Sequence, residues 1–457
     1  MNLFNNTKWV TIAQAGKILV QILSLTILTR LISPSDYGLM AIAFVVMNLA
    51  IIIRDLGTAS ALIQRKDLEH DIVNAVFWLN IIVGISLSII VALFSPLISN
   101  IFQNTKIQNV LLLLCISFPL ASSGSAHQAL LERNSLFKKV ALIELFSGFI
   151  GLISAITIAY LNGGVYALVF QVIISTTISS SLMFYFSDWK PTLDFNFRKL
   201  KSILSFSGNL TIFNLVNFFS RNLDNIIVGK KFDVNTLGIY SLAYRIMLFP
   251  LQSITFIASR SLYPILSRNQ EDLLFIKTTY VKTILIVSSL TIPMMAGLSY
   301  LREPFINIIF GSQWSEMAIL LVWLAPTGVI QSILSCSGCI LMATNHSKEL
   351  MLLGIFGAIL QVSFFIIGSF YNIETFVILY FVANIINAFP VLYWTLKSIN
   401  LKIINYLVCF ISPLLATSIM IIILHYIQLT FALINSSEPF IFFPVFYLES
   451  SYIQSLY

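Results

Sequence analysis

The sequence predicts an all-α polytopic membrane protein: two pseudo-symmetric six-helix bundles plus one or two C-terminal spans. Three observations lead there. Of 457 residues, 58% are hydrophobic and 10% charged, and mean hydropathy is +0.91; no water-soluble fold buries that much apolar surface. The apolar residues fall into runs of about 20, the length that crosses a bilayer as a helix. Finally, a gap-free offset of 200 residues lays one part of the chain over another. Gln14, Lys17, Gln21 and Ser24 recur in spacing as Asn214, Asn217, Arg221 and Asp224; Arg30 matches Lys230, Gly38 matches Gly238 and Ala43 matches Ala243. Polar residues are rare in apolar helices, so a matched polar stripe marks an internal repeat of the kind two-lobed transporters use.

Spans are expected at about 9–29, 37–62, 72–94, 108–131, 140–160, 163–186, 202–228, 237–263, 281–301, 315–343, 350–369, 375–396 and 402–427. The first follows a short polar N-terminus without a small-x-small cleavage site, so it reads as an uncleaved span. The tail after 427 holds two prolines and short apolar runs, enough for at most one further span. The expected division is 1–186 for the first lobe, 187–201 for a basic linker, 202–397 for the second lobe and 398–457 for the remainder. The linker, SDWKPTLDFNFRKLK, interleaves cations with Trp189, Phe195, Phe197 and Leu200, which suits the inner membrane surface. With the N-terminus inside, 17 lysines and arginines fall on the cytoplasmic side and 5 outside. That bias sets a cytoplasmic N-terminus. Both lobes then share one orientation.

Lys17, Arg54, Arg221 and Arg245 lie within spans, as do Asp55, Glu144 and Asp224. An ionised side chain at mid-bilayer costs about 3 kcal/mol even on the lenient insertion scale, so each requires a partner or a wet cavity. Arg221 and Asp224 are three apart on one helix and can pair. Arg54 and Asp55 are adjacent and need partners on other helices. Glu144 reads as solvated near the cytoplasmic boundary. Lys17 has no acid on its own stripe and is expected to face a cavity suited to a phosphate-bearing headgroup. The amides Gln14, Gln21, Asn214 and Asn217, with Ser24, suit either sugar hydroxyls or helix-to-helix hydrogen bonds. His127, beside Ser122, Ser123, Ser125 and Gln128, is expected to be a hydrogen-bonded interior residue. Cys336-Ser-Gly-Cys339 lacks the second pair or histidines of a metal or redox site, so packing is expected. Pro119, Pro250, Pro293, Pro326, Pro390 and Pro413 predict kinks. Gly163-Gly164 reads as a two-residue turn.

Signatures of phosphate-binding loops, HExxH and GxSxG are missing, and the basic residues are scattered among short loops. The sequence therefore predicts no enzyme, no metal or cofactor and no nucleic-acid partner.

The stretches LTRLISPSDYGLMAIA, RDLGTASALIQRKDLEHDIVNAVFWLN, SRNLDNIIVGKKFDVNTLGIYSLAYRIMLFPLQSIT and SRSLYPILSR resemble the Wzx-type polysaccharide flippases, over about residues 5–425. They look most like the branch exporting colanic-acid-type and other exopolysaccharide units. That superfamily also holds the MATE multidrug exporters and lipid II flippases. The resemblance implies two six-helix bundles around a V-shaped cavity. It implies transfer of an undecaprenyl-pyrophosphate-linked oligosaccharide across the bacterial inner membrane for O-antigen, capsule or exopolysaccharide synthesis. Protons or sodium would couple, and polysaccharide polymerase or export machinery would be partners. The family's cationic cavity would fall on Lys17, Arg54, Arg221 and Arg245, with Asp55, Asp224 and Glu144 left for ion coupling or charge pairing. The alternative is a MATE-like cation or drug antiporter, which needs an acidic cavity residue; Asp224 and Asp55 are the candidates, and the cationic excess counts against it. A non-transporting assembly protein of a glycan synthase is the third reading.

Overall fold

A computed structural model describes residues 3–55, 62, 69–192, 218, 222–255, 262 and 266–434, with side chains for all but 3–7, Asp55, 253–254 and 431–434. Among these residues the regular structure is helical. In chain order the first half runs α1 (Leu3–Leu31), α2 (Pro34–Asp55), α3 (His70–Ile101), α4 (Thr105–Leu114), α5 (Ser117–Arg133), α6 (Phe137–Tyr160) and α7 (Val165–Phe186). Residues 222–231 are helical and lead into α8 (Val234–Met247) and a π-turn, Leu251–Thr255. The rest comprises α9 (Leu273–Tyr300), α10 (Arg302–Ile309), a 3₁₀ turn at Ser312–Trp314, α11 (Met317–Ala343), α12 (Ser347–Gly368), α13 (Ile373–Ser398) and α14 (Ile403–Ile434). Among the described residues, 11 helical segments are long and apolar enough to cross a membrane. In hydrocarbon the helix is the open-chain structure that satisfies its own backbone polar groups, which is why apolar runs of this length fold this way. Their outer faces carry exposed large hydrophobics such as Ile89, Leu93, Phe94 and Ile359, a surface made for lipid. The expected span at 202–228 lies largely outside the described residues, as do the last part of the one at 237–263 and the tail after 434.

The corners between spans share one device. Gln103, Ser135, Asn162, Asn345 and Asn400 all adopt positive φ, from 51° to 62°. Just after each, an amide reaches back five residues: Asn104 to Ser99, Leu136 to Leu131, Gly163 to Ile158, His346 to Leu341 and Leu401 to Leu396, at 2.7–3.1 Å. This is the left-handed closure that satisfies the last carbonyls of a helix, and asparagine tolerates the conformation better than most residues. The corner expected at Gly163-Gly164 is therefore set by Asn162 as well, with Gly164 also at positive φ.

The prolines fall in two kinds of place. Pro293, Pro326, Pro390 and Pro413 sit inside continuous helices, and so does Pro96, because α3 runs seven residues beyond the expected end of its span. The span expected at 108–131 is broken between α4 and α5 at Cys115–Ile116. Pro119 stands in the first turn of α5, where its missing N–H costs no helical bond. Pro250 precedes the π-turn.

The repeat is visible in the backbone. The helix ends at Leu31 in one copy and at residue 231 in the other, a two-residue break follows, and the next helices begin at Pro34 and Val234. The break is capped alike in each. Asp36 N donates to Ser33 Oγ at 3.2 Å, and Thr236 N to Asp233 Oδ1 at 2.6 Å. Gly38 and Gly238 then meet reciprocally. A methyl on Gly38 would overlap the Val234 carbonyl, and one on Gly238 would overlap that of Pro34. Only glycine lets the two helix starts approach so closely.

The chain divides into two compact units, Met1–Gly238 and Ile239–Tyr457. The first has a buried cluster of Leu62, Ile72, Val73, Val76, Phe77, Ala126 and Ala129, with Trp78 and Trp189 packed on it. In the second, Leu266, Tyr280, Ile284, Ile340, Leu396 and Tyr406 form a larger core together with Cys336, Cys339 and Cys409. All four cysteines are unpaired and buried, as expected of packing residues. Among the described residues no group of three or more His, Cys, Asp or Glu is arranged to hold a metal.

Candidate functional site in the first helical unit

The polar stripe of α1 is met by α6 and α7. Gly16 lies against Leu145, whose Cδ1 and Cγ would be 3.1 and 3.3 Å from a methyl at that position, and Gly148 faces Val20. This seam of small residues draws α1 onto α6 and sets the register that brings Lys17 beside Glu144. Lys17 Nζ and Glu144 Oε2 form an ion pair at 2.8 Å. Farther along the stripe, Gln171 Nε2 on α7 donates to Ser24 Oγ at 3.1 Å. Gly151 on α6 packs against the Gln171 carbonyl, which fixes Gln171 there. Gln14 and Gln21, one turn to either side of Lys17, are exposed.

Two expectations change. Lys17 does have an acidic partner; it comes from another helix, which a reading confined to one stripe could not see. Glu144 is not left to solvent alone. It lies seven residues into α6, about 10 Å along the axis from its start, and its carboxylate is held by Lys17. The pair is not sealed: side-chain exposure is 48% for Lys17 and 22% for Glu144. Lipid is a costly neighbour for an open ion pair in a span, so its open side suits water or a polar ligand.

The other predicted residues are distributed more widely. Arg54 is half-buried in the last turn of α2, and Arg245 is exposed in the last turn of α8, in the second unit. Asp224 is 1% exposed, and its Oδ1 accepts from the Asn225 backbone N–H at 2.8 Å. Asn214, Asn217 and Arg221 lie outside the described residues, as does the side chain of Asp55.

His127 departs from expectation. It is fully buried among the rings of Phe77, Phe184 and Trp189, with centroids 4.7–5.8 Å away, and neither ring nitrogen has a hydrogen-bond partner. Of the polar neighbours that suggested bonding, Ser122 Oγ is itself buried without a partner, and the other three are committed elsewhere. Ser123 and Ser125 donate back to carbonyls of their own helix, and Gln128 donates to Glu132 at 2.9 Å. Trp189, which roofs His127, belongs to the start of the expected linker. That start is strapped to α3: Trp189 Nε1 donates to His70 Nδ1 at 3.0 Å, Thr192 N to Asn74 Oδ1 at 2.9 Å, and Trp78 Nε1 to the Thr192 carbonyl at 2.7 Å. Residues 193–201 of the linker lie outside the described residues.

The second unit holds a polar cluster that sequence reading missed. Gln331 Nε2 on α11 donates to Tyr380 Oη at 2.6 Å and to Asn384 Oδ1 at 3.0 Å, both on α13. Tyr244 Oη lies 3.4 Å from Tyr380 Oη. Amides lodged singly in apolar spans were the available signal, and Gln171 carried the same one.

The sequence profile of a family described as polysaccharide biosynthesis protein matches residues 27–319. The lipopolysaccharide biosynthesis protein WzxC of Escherichia coli K12 is 25% identical over 367 residues, 80% of this chain and 75% of that protein. The teichuronic acid biosynthesis protein TuaB of Bacillus subtilis 168 is 26% identical over 347 residues, 76% and 72% of the two chains. Among solved structures, the lipid II flippase MurJ in an inward closed conformation superposes with a TM-score of 0.73 at 17% identity, covering 89% of this chain and 91% of that one. At that identity the likeness is one of fold.

Proposed function

The chain belongs to the polysaccharide biosynthesis protein family, and from that premise we propose that it is a flippase for a polyprenyl-pyrophosphate-linked oligosaccharide. The repeat unit is moved from the cytoplasmic to the outer leaflet of the bacterial inner membrane, for assembly of a surface polysaccharide. The observation that carries the reading is the Lys17–Glu144 pair, left partly open within a membrane span of a MurJ-like fold. An ammonium set between the exposed amides of Gln14 and Gln21 offers what a sugar pyrophosphate requires: one charge for the phosphates and neutral donors beside it. Arg54, Arg221 and Arg245 supply further positive charge on this reading. The sugars cross by alternating access in a hydrated interior while the polyprenyl tail stays in lipid.

The N-terminus is cytoplasmic by the distribution of lysine and arginine, and residues 1–186 and 202–397 act as the two lobes. A proton or sodium gradient drives the cycle, and a polymerase or export complex receives the product. A cation antiporter would need a free carboxylate. Glu144 is tied to Lys17 and Asp224 is buried against Asn225, and these, with the cationic excess in the spans, favour the flippase; the side chain of Asp55, the other candidate, lies outside the described residues.

The test is leaflet sidedness. In a strain lacking the protein, lipid-linked oligosaccharides probed in spheroplasts with an impermeant sugar-modifying reagent are expected to be shielded on the cytoplasmic face. Normal labelling from outside would refute the flippase role.

A further inference from the structure

Resting on the flippase reading, we infer that Glu144 is a built-in stand-in for the substrate's phosphate: it occupies Lys17 when the site is empty, yields it to the pyrophosphate, and returns to expel the headgroup. The geometry supports each part. A carboxylate oxygen at 2.8 Å from Lys17 Nζ fills the position that a phosphate oxygen would take, with the same charge-assisted hydrogen bond. The bond is displaceable. Half-open ion pairs gain little over their hydrated partners, and Lys17 is 48% exposed in its side chain. A pyrophosphate brings more negative charge than one carboxylate. It can also reach the exposed amides of Gln14 and Gln21, which lie three and four residues from Lys17 and span about 10 Å of helix. Glu144 offers Lys17 a single contact.

The seam beneath the pair makes the exchange local. Gly16 against Leu145 and Gly148 against Val20 hold α1 and α6 together by backbone approach, so the two helices stay in register when the ions part. A clip needed for packing would sit where the helices lacked other contact; this one sits beside the glycine-to-side-chain contacts of the seam. The consequence for transport is a release step. A cation that takes up a pyrophosphate must also let it go, and Glu144 is the competitor already in place.

The experiment is ligand titration of the purified full-length chain in detergent, with a polyprenyl pyrophosphate and with inorganic pyrophosphate, alongside cellular export. Glu144→Gln, which keeps the side chain's shape and removes its charge, is expected to bind the lipid pyrophosphate about threefold to tenfold more tightly than the parent while exporting less. Glu144→Asp, whose charge is drawn back by one methylene, should fall between them, and Lys17→Ala should bind more weakly. Tightening with both probes assigns the pocket to the pyrophosphate itself; tightening with the lipid alone assigns it to the headgroup of a membrane-borne ligand. If Glu144→Gln binds as the parent does, or more weakly in step with Lys17→Ala, Glu144 merely positions Lys17 and the inference fails. A parent protein that binds neither probe would overturn the flippase reading and this inference with it.

Discussion

Replacing Gly38 by alanine adds one methyl at a close helix crossing in the first unit. Two effects oppose each other. Alanine in a helix interior is favoured over glycine by about 0.8–1.0 kcal/mol. Against that, the new Cβ would overlap the carbonyl oxygen of Val234 and lie 2.8 Å from its carbon and 2.9 Å from Val234 Cγ1, where carbon atoms prefer about 3.5–4.0 Å. The obstacle is backbone, so no rotamer change relieves it and the helices must separate. Overpacking of this kind costs about 1–3 kcal/mol in an adaptable core; a backbone clash belongs at the upper end, which leaves a net loss of about 2 kcal/mol. At roughly 2–4 °C per kcal/mol, the thermal midpoint of the detergent-solubilised protein should fall by roughly 4–8 °C. Gly354, in α12, provides the control, because a methyl there meets nothing within 4 Å; Gly354→Ala should be neutral or slightly stabilising. Gly238→Ala should resemble Gly38→Ala, and the double variant should cost less than their sum, since both relieve the same contact. A Gly38→Ala midpoint equal to that of Gly354→Ala would refute the close crossing.

His127→Phe should leave thermal stability unchanged or raise it, because no hydrogen bond is lost and two orphaned nitrogens leave an aromatic box; a drop of several degrees would show that the imidazole has a partner. Gln331→Leu should cost about 1–3 kcal/mol, since it strips a donor from the buried Tyr380 and Asn384; an unchanged midpoint would argue against that cluster. Cys336 and Cys339, both buried in the second unit's core, should resist a membrane-impermeant maleimide until the protein is unfolded, and non-reducing electrophoresis should show no intramolecular bridge; rapid labelling would contradict the core placement.

Much of this was open to a reader of the sequence alone. Apolar run length dictates membrane helices because hydrocarbon provides no hydrogen-bond partners for an open backbone. The offset of 200 located the repeat, down to a two-residue break that recurs at 32–33 and 232–233, because cap and glycine requirements are local and leave their mark on residue type. The charged positions in spans were legible because ionised groups there are costly and few. Their partners were not. Lys17 meets Glu144 across 127 positions of sequence, by a helix register that Gly16 and Gly148 set. His127 lost its expected hydrogen bonds because Ser123 and Ser125 turned to their own helix and Trp189 came from far along the chain to cover it. Sequence determined which residues need a partner, since that depends on the side chain and the lipid around it. Tertiary structure decided which partner each received, since helix packing joins residues by shape and register, and neither is written in a single span.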